Sequence, residues 1–230
     1  MAKDRLSTEL VDVLEEAHSL ERFADTLAHE AMQPITAGLM YCELLRAPGI
    51  EISTERRAAM MASIENQLRY LRDLCTFLTS PFEQATLVIA EEVRAITARC
   101  AALAPDHKLI TQANSGSATV LTNSVRLESA LRNLIANAAK YAAADTTITV
   151  TTTIDDSWVV VAVADEGPGI PEHEWERVFE PEVRLAPKHV AGSGLGLHVV
   201  RLFAAREGGR ARIAQSDANG TTVAIELPAN

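Results

Sequence analysis

Leu6, Leu10, Val13, Ala17, Leu20, Ala24, Leu27 and Ala31 recur at alternating steps of four and three, a spacing that lines one face of a long helix. Ala47-Pro48-Gly49 breaks that rhythm, and Ser53 or Thr54 then stands where a helix cap belongs. Met61, Ile64, Leu68, Leu71, Cys75 and Leu78 resume the pattern in steps of 3-4-3-4-3. The two runs predict a helical hairpin with a heptad seam. Two helices cannot cover both faces of such a seam, and pairing with a second copy as a four-helix bundle does, so a homodimer is expected. Packing of the hairpin on the chain's own second half is the alternative.

Ser80-Pro81 ends the second helix, because proline removes a donor and restricts the residue before it. The domain boundary is placed near residue 82, giving domains at 1–81 and 82–230. Beyond it the periodicity changes. Helices are predicted at about 90–103, about 124–143 and after Leu195. Strands are predicted near Leu109 and Val120, over Thr146 to Ile154 and Trp158 to Ala164, and near Arg210 to Ala214 and Thr221 to Leu227. The fold class is α+β: an N-terminal helical hairpin forming a dimeric four-helix bundle, then an α/β sandwich.

Composition agrees with a folded protein, since 47% of the 230 residues are hydrophobic and 23% charged. A net charge of −10 repels phosphate backbones and anionic lipid, which argues against nucleic acid or a membrane surface as partner. Cys42, Cys75 and Cys100 form no C-x-x-C pair and read as buried thiols of a reducing compartment. The first residues lack the apolar core of a signal peptide, and no run approaches the roughly 20 apolar residues of a membrane span, so a cytoplasmic location without membrane insertion is expected.

Four clusters carry chemistry. His29 lies about 160° to 200° around the helix from Leu27 and Ala31, hence opposite the seam. Glu30 beside it can take a proton from an attacking imidazole, and Pro34 one turn on removes a helical hydrogen bond and kinks the helix. His18 has no such neighbours and reads as a surface residue. In LRNLIANAAKYA, Asn133, Asn137, Lys140 and Tyr141 share one helical face, apart from Leu127, Leu131, Leu134, Ile135 and Ala138. Two amide oxygens and an ammonium there suit a hard cation and a polyphosphate. Asp165-Glu166-Gly167-Pro168-Gly169-Ile170 follows a strand, placing a carboxylate for an exocyclic amine and glycines for a flat ring. Gly192-Ser193-Gly194-Leu195-Gly196-Leu197 is a glycine-rich loop entering a helix, without the GK[ST] of a P-loop or a Rossmann context.

In this order the clusters resemble the bacterial sensor histidine kinases of two-component systems, whose kinase domain is of the GHKL ATPase type. The resemblance runs from about residue 20 to 228: LAHEAMQP is similar to the H box, LRNLIANAAKY to the N box, DEGPGIP to G1, VFEP to the F box, GSGLGL to G2, and NGTTVAIELP, with Thr221, to a final glycine element. It implies that His29 is the phosphoacceptor and Glu30 its acid/base partner. It further implies that Asn137 is the main Mg²⁺ ligand with Asn133 supporting, and that Lys140 contacts phosphate. Tyr141, Gly167, Gly169 and Ile170 would lie near the adenine of ATP, with Asp165 on its amino group; Phe179 and the segment Gly192 to Leu197 would shape the lid, and Arg184 would be a lid arginine reaching toward the γ-phosphate. Gln33, in the HExxQP form of the H box, is expected to orient a water that removes phosphate from the partner. The H box departs from the common pattern at Ala31 and Met32, G1 has Glu166 for the commoner asparagine, and the F box lacks a second aromatic.

The expected function is therefore an ATP-dependent protein-histidine kinase that autophosphorylates His29 and hands the phosphoryl group to a response regulator receiver domain. A phosphotransfer or scaffold protein with degenerate catalysis is the alternative, and a topoisomerase-like ATP clamp leaves His29 unexplained.

Overall fold

The structure is a computed structural model that describes residues 31–32, 34–48, 51–79, 84–181, 183–185 and 194–230. The stripe from Leu6 to Leu27 and the expected site residues His29, Glu30, Gln33, Gly192 and Ser193 lie outside the described residues. The chain divides into two compact units, Met1–Leu71 and Arg72–Asn230.

The first unit contains helix α1, over 31–32 and 34–46, and most of α2, Thr54–Thr79. Ser53 caps α2, its Oγ accepting from Arg56 N at 3.2 Å. Gly38 on α1 faces α2 closely, since a Cβ there would stand 3.0 Å from Gln67 Oε1. Pro34 is buried within α1, and Thr36 Oγ1 donates to Met32 O at 2.8 Å, a back-bond that favours bending. Of the expected seam, Met61, Leu68 and Cys75, seven residues apart, are exposed in the single chain, and Ile64 and Leu71 are half-buried. Cysteine burial is thus corrected. Cys100 is buried, but Cys42 and Cys75 are exposed, because both stand on helices whose apolar faces the single chain leaves open.

In the second unit, β1 (Ala85–Val88), α3 (Ile89–Arg99), β2 (Lys108–Ala113), β3 (Thr119–Thr122), α4 (Ser124–Tyr141), β4 (Thr147–Asp155), β5 (Trp158–Asp165), α5 (Gly196–Arg206), β6 (Arg210–Asp217) and β7 (Gly220–Pro228) follow in order. Five strands form a mixed sheet, β2-β4-β5-β7-β6, parallel only between β2 and β4. Alternation decides its two faces. Ile148, Val150, Val159, Val161, Val163, Val223, Ile225 and Leu227 are buried together with Leu127, Leu131, Leu134 and Ile135 of α4 and Phe203 of α5. Truncating one of these leucines to alanine costs about 2–5 kcal/mol. The strand β1 was not expected. It is four residues long and exists through its antiparallel pairing with β3, a partner over thirty residues away that no local pattern announces.

On the other face, Glu226 of β7 accepts from Arg210 and, at 2.5 Å, from Arg212, both on β6. Burial pushes its carboxyl upward, but the two guanidinium groups outweigh that and hold it below the usual range. A depressed carboxyl stabilises the fold above its unfolded pKa of about 4.3, and the contribution disappears as pH falls through the folded value. Melting temperature should therefore drop as pH is lowered below about 4.3, and Glu226→Gln should flatten that part of the profile. An identical slope in the variant would show that other carboxylates dominate.

Candidate functional site

Helix α4 supplies the first side of the site. Its start is fixed by Asn123, whose side chain accepts from Arg126 N, and its apolar face is buried, which turns Asn133, Asn137, Lys140 and Tyr141 to the half-buried side. Asn133 Nδ2 donates to Ser129 O at 2.9 Å, leaving Oδ1 as the outward atom. At the start of α5, a Cβ on Gly196 would lie 3.2 Å from Asn133 Oδ1 and 3.3 and 3.5 Å from Asn137 Nδ2 and Oδ1. The two carboxamides thus meet a helix N-terminus, where backbone N–H groups and the helix dipole favour an anion.

Lys140 and Tyr141 lie at the other end of this stretch. Lys140 Nζ donates to Tyr141 Oη at 2.8 Å and sits 4.5 Å from the ring centroid, which leaves two of its three N–H donors for another acceptor. The turn after β5 closes beside them. Asp165 Oδ1 accepts from Gly167 N at 2.8 Å and Thr221 N at 3.3 Å, so both backbone bonds use one oxygen and leave Oδ2 for a ligand. Burial raises the Asp165 carboxyl above its ordinary value, and these two N–H groups oppose that rise. A Cβ on Gly167 would stand 3.2 Å from Tyr141 O, which joins the turn to the end of α4. Gly169, at φ +78°, permits a further close approach, since any side chain there would collide with the Asp217 carbonyl.

Several supporting residues escape sequence reading. Ser216 Oγ accepts from Ile170 N at 2.7 Å and shares a 2.8 Å hydrogen bond with Thr221 Oγ1, bracing the turn against the β6–β7 hairpin. Trp175 Nε1 donates to Ile170 O at 2.9 Å. His198, buried in α5, pairs Nδ1 with Phe179 O at 3.0 Å, tying α5 to the short 3₁₀ turn Arg177–Phe179. Glu166 Oε1 accepts from Thr147 N at 3.1 Å and so holds the start of β4. Nothing local marks Ser216, Trp175 and His198, because the partners they hold are 5 to 46 positions away.

The expected residues therefore gather in two groups along α4. Asn133, Asn137 and Gly196 form one. Tyr141, Gly167 and Asp165, with Thr221 behind, form the other, with Tyr141 about 6 Å along the helix from Asn137 and about 12 Å from Asn133 at 1.5 Å per residue. Phe179 and Leu195 are buried, Gly194 has φ +77°, Leu197 is half-buried, and Arg184 is exposed. An elongated ligand with an anionic end and a flat, hydrogen-bonding end matches this arrangement.

Residues 122–230 match the family of histidine kinase-, DNA gyrase B- and HSP90-like ATPases. Over most of its length the chain is 30% identical to sensor protein KdpD of Mycobacterium tuberculosis (217 residues; 88% of this chain, 25% of KdpD). It is also 30% identical to the sensor-like histidine kinase SenX3 of Mycobacterium bovis (90% of this chain, 53% of SenX3). The adaptive-response sensory kinase SasA of Synechococcus is 28% identical (94% and 58%). The chain thus spans from a quarter to somewhat over half of the curated relatives it matches. Among solved structures, the mycobacterial sensor histidine kinase MprB superposes with a TM-score of 0.56 at 27% identity, over 64% of this chain and 99% of that one. Full-length ShkA in complex with AMPPNP shares the fold, with a TM-score of 0.61 at 24% identity over 89% and 46% of the two chains.

Proposed function

We propose, from the premise that this chain belongs to the sensor histidine kinases and carries their histidine kinase-, DNA gyrase B- and HSP90-like ATPase domain, that it phosphorylates its own His29 from ATP and passes the phosphoryl group to an aspartate of a response regulator receiver domain. The observation that carries this reading is the meeting of Gly196 with the carboxamides of Asn133 and Asn137. In this reading residues 1–81 dimerise and carry His29, and residues 82–230 bind nucleotide.

Two amide oxygens suit Mg²⁺, which takes oxygen ligands and keeps several waters, with Asn137 as principal ligand and Asn133 in support. Among the described residues no group of three His, Cys, Asp or Glu forms a rival metal site. When bound, Mg²⁺ neutralises charge on the phosphate oxygens. Asp165 Oδ2 accepts from the adenine amino group, Tyr141, Gly167, Gly169 and Ile170 border the ring, and Thr221 holds Asp165 in place. Lys140 contacts a phosphate, the glycines from Gly192 to Gly196 shape the lid with Leu197 and Phe179, and Arg184 is the lid arginine that reaches toward the γ-phosphate.

For transfer, an imidazole nitrogen of His29 attacks the γ-phosphorus, the bond to the bridging oxygen breaks, and Glu30 takes the ring proton. A receiver aspartate oxygen then attacks the same phosphorus and the N–P bond breaks. Incubation with γ-labelled ATP should label the protein in a form lost in acid and kept in alkali. Tight nucleotide binding without any label would favour a phosphotransfer or scaffold role instead.

Dimerisation is supported by apolar side chains that the helical unit leaves exposed, Met32 at 57% and Leu39 and Leu68 at 60% each. Sedimentation at micromolar concentration should give a dimer, and Leu68→Glu should shift it to a monomer of unchanged helicity. A monomeric parent chain would contradict the bundle.

In a continuous helix the four-residue spacing of His29 and Gln33 would put the Gln33 carboxamide about one turn and 40° away, within reach of the same aspartyl phosphate and able to orient a hydrolytic water. Gln33→Ala, retaining autophosphorylation, should slow decay of the phosphorylated regulator several-fold. Equal decay with parent and variant would exclude a phosphatase role for Gln33.

A further inference from the structure

The Arg126–Glu207 pair lies almost wholly out of water, its side chains 2% and 0% exposed, and neither residue belongs to the nucleotide site. Arg126 Nη1 stands 3.5 Å from Glu207 Oε1. The other carboxylate oxygen, Oε2, accepts a hydrogen bond from Gln84 Nε2 at 2.8 Å. Gln84 is itself exposed and comes directly before β1, five residues after the end of α2. It is thus at the point where the chain leaves the second helix of the hairpin and enters the sheet-bearing fold.

The pair joins particular ends. Arg126 is in the first turn of α4, and Glu207 directly follows α5. Asn137 is eleven residues after Arg126, and Gly196 eleven before Glu207, so both helices run about 16 Å from the ion pair to the place where Gly196 meets Asn133 and Asn137. The helices are therefore antiparallel, clamped by charge at one end and facing the ligand at the other. An apolar contact would tolerate sliding of one helix on the other. A desolvated carboxylate bound at both oxygens does not, because losing either partner leaves a buried charge short of compensation.

We infer that Gln84, Glu207 and Arg126 form a positioning relay: Gln84 orients the Glu207 carboxylate, Glu207 holds Arg126, and together they set the register of α5 on α4 and hence the reception of nucleotide between Gly196 and the two asparagines. The placement of the segment entering at Gln84 thereby governs nucleotide affinity at a site that Gln84 does not touch. The inference rests on the nucleotide reading of that site.

The test measures binding of a fluorescent ATP analogue to the full chain and its Gln84→Ala and Gln84→Lys variants, with amide exchange followed over residues 196–200. Position 84 is exposed, so both variants keep the core. Gln84→Ala should weaken binding roughly fivefold or more and speed exchange at the start of α5. Gln84→Lys restores a donor to Glu207 and should bind within about twofold of the parent, the precision expected of such a comparison. Unchanged affinity in Gln84→Ala, even with a lowered melting temperature, would overturn the relay and leave a stabilising contact. Equal weakening in the alanine and lysine variants would overturn it too. A parent chain that binds no analogue would instead sink the nucleotide reading, and the relay with it.

Discussion

Replacing His29 by alanine should leave nucleotide binding intact and abolish phosphate incorporation, a loss of several orders of magnitude because the attacking nitrogen itself is gone. The expectation stems from the sequence, where the helical spacing of the first stripe would set His29 opposite the apolar seam, with Glu30 next to it and Pro34 five residues on. The separation of binding from chemistry is the informative part, since Asn133, Asn137 and Asp165 stand on other elements of the chain. Binding should be followed with a fluorescent analogue and uptake with γ-labelled ATP. Label remaining on His29→Ala, on His18 for instance, would move the phosphoacceptor elsewhere.

Asn137→Ala and Asp165→Ala should fail in different ways. Loss of the Asn137 carboxamide removes an oxygen donor where charge builds during transfer, and about a 10²–10³-fold fall in autophosphorylation is expected. Adenosine, which lacks phosphates, should bind this variant as it binds the parent. Asp165→Ala should weaken adenosine as well, because a hydrogen bond to a charged acceptor contributes about 1.5–3 kcal/mol, or roughly 10- to 150-fold. Asp165 carries a further signature. Burial raises its carboxyl, so between the ordinary value of about 3.9 and the raised one the folded state binds more protons than the unfolded state. Stability therefore falls as pH rises through that window and stays lower above it. Asp165→Asn should accordingly raise the melting temperature at neutral pH while weakening adenosine binding. Equal binding of adenosine by the parent and both alanine variants would remove Asp165 from the base site.

The periodic part of this protein was legible in its sequence. The helical spacing of α2, the apolar face of α4 and the alternation in β4, β5 and β7 each arise from neighbours within one element, where helical or strand geometry alone decides which side chains share a face. The candidate clusters stand out for the same reason, being short runs on one helix face, at a strand end or at a helix start, and the fold brings Asn133 and Asn137 beside Gly196 and Tyr141 beside Gly167. Tertiary structure decided what depends on distant partners. Four residues became β1 because β3 lay beside them, Ser216 and Trp175 came to brace the Asp165 turn, and His198 came to hold the Phe179 carbonyl. It alone brought Gln84, Arg126 and Glu207 together from positions as far as 123 residues apart. A buried charge is tolerated only where the fold supplies its counter-charge and hydrogen-bond donor, and those partners have no signature in the residues next to it.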